Sequence, residues 1–155
     1  MSVAFRREED DAHREPEFEL PIPVGPNLVT ERGLALIAAK VAELKAAAER
    51  EDDADARKKL ARDLRYWTTQ HATARIAPAP DPGEAGVGSR VTVRRDGRVQ
   101  RFRIVGHDEA DPAADLLAFT APLARAVMGA MAGERVDFGG RVEAVEVVEV
   151  EGPGA

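Results

Sequence analysis

Five carboxylates crowd into seven residues at Glu49-Arg50-Glu51-Asp52-Asp53-Ala54-Asp55, giving this stretch a net charge of −4. Carboxylate oxygens are hard ligands of the kind Mg²⁺ prefers. Glu51, Asp52, Asp53 and Asp55 are therefore the candidate metal-holding residues, and the pattern does not single out two of them. Directly afterwards, residues 56–77 carry six Arg/Lys against one Asp. Within them Arg57, Lys58, Lys59, Arg62 and Arg65 are the cations that could face RNA or phosphate. An acidic knot beside a basic flank suits the holding of a metal ion next to a polyanion. Both features also have a plainer reading. A loop between helices is exposed and charged in any case, and a basic helix face can simply be solvated and ion-paired to its neighbour.

Two helices must carry this knot. Thr30 is a good N-cap, and Glu31 follows in the first turn, where a negative charge suits the helix dipole. Leu34, Ile37, Val41, Leu44 and Ala48 then recur at helical seam spacing, and Leu60, Leu64, Trp67, His71 and Ala74 do the same beyond the knot. Pro78 and Pro80 stop the second helix. The seams predict an antiparallel hairpin over 31–77, with the acidic knot at its tip and arms of roughly 27–33 Å. Arms this short are marginal alone and should lean on the rest of the chain. Ahead of them, residues 1–30 read as an extended arm with seven acids and three Arg. Pro16, Pro21, Pro23 and Pro26 keep it out of helix, and Phe18, Leu20, Ile22 and Val24 alternate so that it could lie along another surface. The competing reading for residues 1–15 is a disordered tail.

Residues 78–86, rich in Pro and Gly, read as a linker. Beyond them the apolar period changes to two. Val91 and Val93 begin a strand, Asp96-Gly97 is a two-residue hairpin turn, and Val99 to Val105 return. Leu117 and Phe119 suggest a third strand. Pro122 to Met131 reads as a short helix with Gly133 past its end, and Val136 to Phe138 and Val142 to Val150 join through Gly139-Gly140. The fold class is α+β, a two-helix coiled coil followed by a small sheet domain with one short helix over 87–151.

Composition narrows the function. The chain of 155 residues has no Cys and only three His, at 13, 71 and 107, so thiolate sites and a His-rich zinc site are not expected. No apolar run approaches the roughly 20 residues that span a bilayer, and the N-terminus lacks a signal core, so a cytoplasmic protein with no membrane partner is expected. A net charge of −6 argues against a generic nucleic-acid coat, and blocks of alternating sign suit a protein partner instead. There is no phosphate-binding Gly loop or nucleophile elbow to mark an independent enzyme.

Two further motifs point to a family. Arg103-Ile104-Val105-Gly106-His107-Asp108-Glu109-Ala110-Asp111-Pro112 resembles the (Y/R)-x-I-V-G-x-x-E-A-D signature of the bacterial GreA/GreB transcript-cleavage factors. Ala121-Pro122-Leu123-Ala124-Arg125-Ala126-Val127-Met128-Gly129 is similar to their S-P-I/L-A-R/K-A-L-x-G helix. The resemblance covers residues 87–151. It implies an FKBP-like C-terminal domain without prolyl isomerase activity, and a coiled coil that enters the secondary channel of RNA polymerase. It also implies polymerase docking through Asp108, Glu109, Asp111, Pro122 and Leu123. A tip pair of carboxylates would lend ligands to the weakly held Mg²⁺ of the polymerase and so stimulate cleavage of backtracked RNA, with no cofactor bound stably by the factor itself. Nascent RNA would be met only indirectly, and a monomer is expected. The family tip, G-D-L-x-E-N-A-x-Y, is absent here, and its nearest analogue is Glu51 to Asp55. The hairpin is also shorter than a Gre coil. In these respects the chain is similar to the regulator of nucleoside-diphosphate kinase, which implies the alternative of a polymerase-binding regulator that competes with Gre factors without stimulating cleavage.

Overall fold

The computed structural model describes residues 18–154. The expectations for the earlier part of the arm, including Pro16 and His13, fall outside the described residues. Thr30 caps the first helix as its position predicts: its backbone is extended and its Oγ1 accepts the Gly33 N–H at 3.0 Å. Helix α1 runs Glu31–Arg50 and helix α2 runs Ala54–Thr73. They pack antiparallel, with Ile37 and Leu44 buried and Leu34, Val41, Leu60, Leu64 and Trp67 partly so.

The seam departs from expectation at its base. Gln70 is buried there and His71 is exposed. After Trp67 the three-residue step, not the four-residue step, points inward, and the buried amide has a partner to receive it, Asp108 Oδ2 at 2.7 Å. The second helix also ends earlier than the prolines suggest. Asn27 Nδ2 donates to the Gln70 carbonyl at 3.0 Å and to Thr73 Oγ1 at 3.2 Å. The chain then leaves the helix, and strand β2 (Arg75–Ile76) pairs in parallel with strand β1 (Leu28–Val29). Arg75 N–H donates to Asn27 O, and Ala77 N–H to Val29 O, each at 2.9 Å. Ala77 precedes Pro78, which disfavours helix at that residue.

The C-terminal part is one mixed sheet of five strands in the order β5-β4-β3-β7-β6. Strands β3 (Arg90–Arg95) and β4 (Arg98–Val105) form a hairpin closed by Asp96-Gly97, both at positive φ, and β6 (Arg135–Phe138) and β7 (Arg141–Glu151) are joined in the same manner by Gly139-Gly140. Strand β5 (Leu116–Ala118) adds in parallel to β4 after a short 3-10 turn at Pro112–Ala114. One sheet face presents Val91, Val93, Phe102, Ile104, Val145 and Val147, all at most 1% exposed. Helix α3 (Pro122–Val127) covers it with Leu123, Ala124 and Val127. Fully burying side chains such as Phe102 and Ile104 stabilises by about 1.5–3 kcal/mol each, which makes this layer the main core of the molecule.

Helix α3 stops at Val127, short of the Met131 suggested by its apolar spacing. The cause lies in the segment expected as a linker. Ala85 N–H donates to Ala130 O and Gly129 N–H donates to Ala85 O, each at 2.8 Å, so the chain after Val127 is drawn into backbone pairing. Residues 78–86 are accordingly not a loose connector throughout: Ala85 is 3% exposed and belongs to the core.

Candidate functional site

The acidic tip is a three-residue link, Glu51 to Asp53, between two helices of 20 residues each. At 1.5 Å per residue each arm is about 30 Å long. Two of the four tip carboxylates serve the backbone. Asp53 is the N-cap of α2, its Oδ2 accepting the Ala56 N–H at 2.9 Å, and Glu51 Oε1 accepts the Asp53 N–H at 3.1 Å. Asp55 stands in the first turn of α2, where its charge favours the helix. Asp52 and Asp55 are exposed. Among the described residues no group of three or more His, Asp or Glu is gathered to hold a metal ion. The donors are hard oxygens of the kind that fit Mg²⁺.

The basic flank is split. Arg57, Lys58 and Lys59 lie exposed near the tip. Arg62 is half-buried and reaches its neighbour Asp63 at 3.1 Å. Arg65 is held by the arm: its Nε and Nη2 both donate to Glu19, the Nε at 3.1 Å from each carboxylate oxygen. The hydrogen bond from Arg65 depresses the Glu19 carboxyl below its ordinary pKa and raises that of the guanidinium. The Arg62 pair lies within α2 and the Arg65 pair runs to the arm.

The acidic loop after β4 reaches both helices of the hairpin. Asp108 accepts Tyr66 Oη and Gln70 Nε2 from α2, at 2.5 and 2.7 Å. Glu109, 6% exposed, accepts the Thr30 hydroxyl and Arg32 Nη1, the latter at 2.9 Å. Adjacent acids of one loop thus fasten both helices to the sheet. Burial first, then the hydrogen bond to Asp108 and its charge, push the Tyr66 phenol well above its ordinary pKa. Gly106, at the start of the loop, lets the hairpin base come close: a Cβ there would lie 2.5 Å from Leu28 O. His107 is placed between Phe119, 5.2 Å away ring to ring, and Thr120, and its Nε2 is buried without a hydrogen-bond partner.

Of the residues expected on a docking surface, Asp111 and Pro122 are exposed, Asp108 is half-buried, and Glu109 and Leu123 are buried. Asp108 and Glu109 turn inward to the helices whereas Asp111 faces water, and Leu123 packs into the core. Tyr66, Gln70, Asn27 and Arg32 escaped the sequence reading. Tyr66 and Gln70 stand four residues apart on one face of α2, a spacing legible in the sequence, but nothing there names their partner across the chain.

Residues 79–152 match the model of the family "Transcription elongation factor, GreA/GreB, C-term". The chain is 44% identical over 50 residues to the transcription elongation factor GreA of Thermomicrobium roseum, a match spanning 32% of this chain and 32% of that relative's length. Among solved structures it is similar to GreA factor homolog 1 (Gfh1) of Thermus thermophilus, at 19% identity and a TM-score of 0.37, covering 83% of this chain and 100% of that one. It is also similar to the elongation factor GreA/GreB from Nitrosomonas europaea, at 18% identity and a TM-score of 0.39, covering 79% and 97%.

Proposed function

We propose, from the match of residues 79–152 to the C-terminal model of the GreA/GreB transcription elongation factors, that the protein is a cytoplasmic factor that binds bacterial RNA polymerase at its secondary channel. Its hairpin tip would stimulate the polymerase's own cleavage of backtracked RNA. Factors of this family assist the polymerase and are not enzymes themselves. The observation that carries the reading is the hairpin itself: carboxylates stand at its tip, about 30 Å of helix away from the sheet domain, and the base is fastened to that domain through Asp108 and Glu109. Asp111 and Pro122 are the exposed members of the docking surface. Asp52 and Asp55, with Glu51 and Asp53, would hold Mg²⁺ jointly with polymerase groups. The ion, when bound, supplies activation of water for hydrolysis. The tip residues orient it, and the basic flank faces the RNA.

The test is a backtracked elongation complex mixed with the factor, with shortening of the RNA 3′ end as the readout. Replacing Asp52, Asp53 and Asp55 by Asn should abolish stimulation while leaving polymerase association intact. Asn serves as well as Asp at an N-cap, so the turn at residue 53 survives the change. Stimulation by the triple variant equal to that of the parent would end the tip reading.

A second reading has its own support in the tip. Glu51 and Asp53 already satisfy backbone donors, and the family's D-x-x-E spacing is missing. On that reading the protein occupies the channel and competes with Gre factors without stimulating cleavage. Association without RNA shortening, together with inhibition of an added Gre factor, would select it.

A further inference from the structure

The N-terminal arm is fixed to α2 at two levels of strength. At the base, Asn27 is buried and donates to Gln70 O and Thr73 Oγ1, and β1 pairs with β2. Further out, Glu19 grips Arg65, while Leu20 and Ile22 line a shallow groove with Ala61, Leu64 and Thr68 of α2. The outer contact is exposed: the Glu19 and Arg65 side chains are 66% and 57% accessible, and Ile22 is 46%. An ion pair of this kind contributes little against water and is screened by salt. The outer arm can therefore leave α2 without disturbing the base.

What it covers matters. Arg65 belongs to the run of cations along α2 that would face RNA, and the arm answers it with a carboxylate where a phosphate would otherwise sit. We propose that residues 18–23 are a built-in competitor for the basic face of α2, which a phosphodiester backbone must displace before it can engage Arg65. The proposal rests on the reading of that face as RNA-facing. It adds that Arg65 is already engaged by the arm in the free protein and is released when phosphate displaces Glu19. A guanidinium makes the same paired hydrogen bonds to carboxylate and to phosphate, so the two occupants exclude each other at Arg65.

The test uses the full chain and a fluorescein-labelled single-stranded oligouridylate, followed by anisotropy at low salt. The variant Glu19→Gln/Leu20→Ser/Ile22→Ser releases the outer arm and leaves Asn27 and β1 untouched. Its control is Glu43→Gln, which makes the same charge change on α1, where Glu43 faces Lys40. The released variant should bind the oligonucleotide about threefold to fivefold more tightly than the parent. The control should match the parent, and adding Arg65→Ala to the released variant should remove the gain. A released variant that binds no more tightly than the Glu43→Gln control, or a gain that survives Arg65→Ala, would overturn the proposal. Polymerase association is read separately by pull-down, so its failure strikes the functional reading above while the oligonucleotide titration still decides the arm contact.

Discussion

Asp108 and Glu109 show how adjacent residues can serve different masters. Asp108 takes Tyr66 and Gln70 from one helix, and Glu109 takes Thr30 and Arg32 from the other. Arg32 is 63% exposed, so its charge is partly screened, and the burial of Glu109 makes the Thr30 hydroxyl the more constraining partner. Tyr66 reports on this joint directly because it is the single tyrosine of the chain. Its pKa is raised by burial, and by the bond to and charge of Asp108. The folded state thus prefers the neutral phenol. Its contribution to stability is fully present below the ordinary tyrosine pKa of about 10 and is lost as pH rises beyond it. Tyrosinate absorbance should accordingly titrate later than in the unfolded chain. Asp108→Asn should move that titration down toward about 10, and Tyr66→Phe should flatten the alkaline decline in melting temperature. An unchanged titration in Asp108→Asn would remove Asp108 as a cause of the shift.

At the scale of elements, the close approach of the hairpin base to the sheet depends on a missing side chain. A Cβ on Gly106 would fall 2.5 Å from Leu28 O and 3.4 Å from Val29 Cα, both backbone atoms that cannot swing aside. Gly106→Ala should destabilise by about 1–3 kcal/mol, as overpacking does, read as a lower urea midpoint. It should also loosen the pairing of β1 with β2, read as faster amide exchange at Arg75 and Ala77. The glycine of the signature is thereby given a physical reason. Asp53→Ala should cost about 1 kcal/mol through its lost cap, whereas Asp53→Asn should cost little. Much at this scale was legible in advance. Alternation at Val91 and Val93, the Asp96-Gly97 turn and the Thr30 cap are local signals that local physics honours. The two-residue strands β1 and β2 are too short to have a period. The inward choice of Gln70 over His71 depends on an aspartate 38 residues away, and Thr30 meets Glu109 across 79 residues. Partnerships at such separations leave no pattern along the chain. The charged tip was legible as a tip, but the use of Glu51 and Asp53 as caps follows from the tightness of the turn rather than from their composition.

At the scale of the molecule, the hairpin and sheet are joined by Asp108 and Glu109 of one loop, by β1 and β2, and by the packing of Leu28 and Ala77 against the sheet core. A joint made at both helices resists bending more than a single linker would. On the proposed function, aim matters as much as chemistry: the surface on which the sheet domain docked would set the direction in which the carboxylates are offered. Weakening the joint while sparing the tip should therefore impair stimulation. On that reading, a Thr30→Val/Tyr66→Phe variant, which leaves the docking residues unchanged, is expected to associate with polymerase as the parent does and to stimulate cleavage less. Equal stimulation would show that the joint does not set the aim.

The parallel pairing of Leu28 with Arg75 and Val29 with Ile76 places the departure and the return of the hairpin side by side. Everything between them is an excursion that begins and ends at one doorway. Its length is thus uncoupled from the architecture of the body. Seven residues added to each helix beyond Tyr66, with the seam kept in register, would carry the tip about 10 Å further and rotate it by only about 20°. Reach is the property in which such a protein can diversify most freely, one tip distance exchanged for another while its foundations stay as they are.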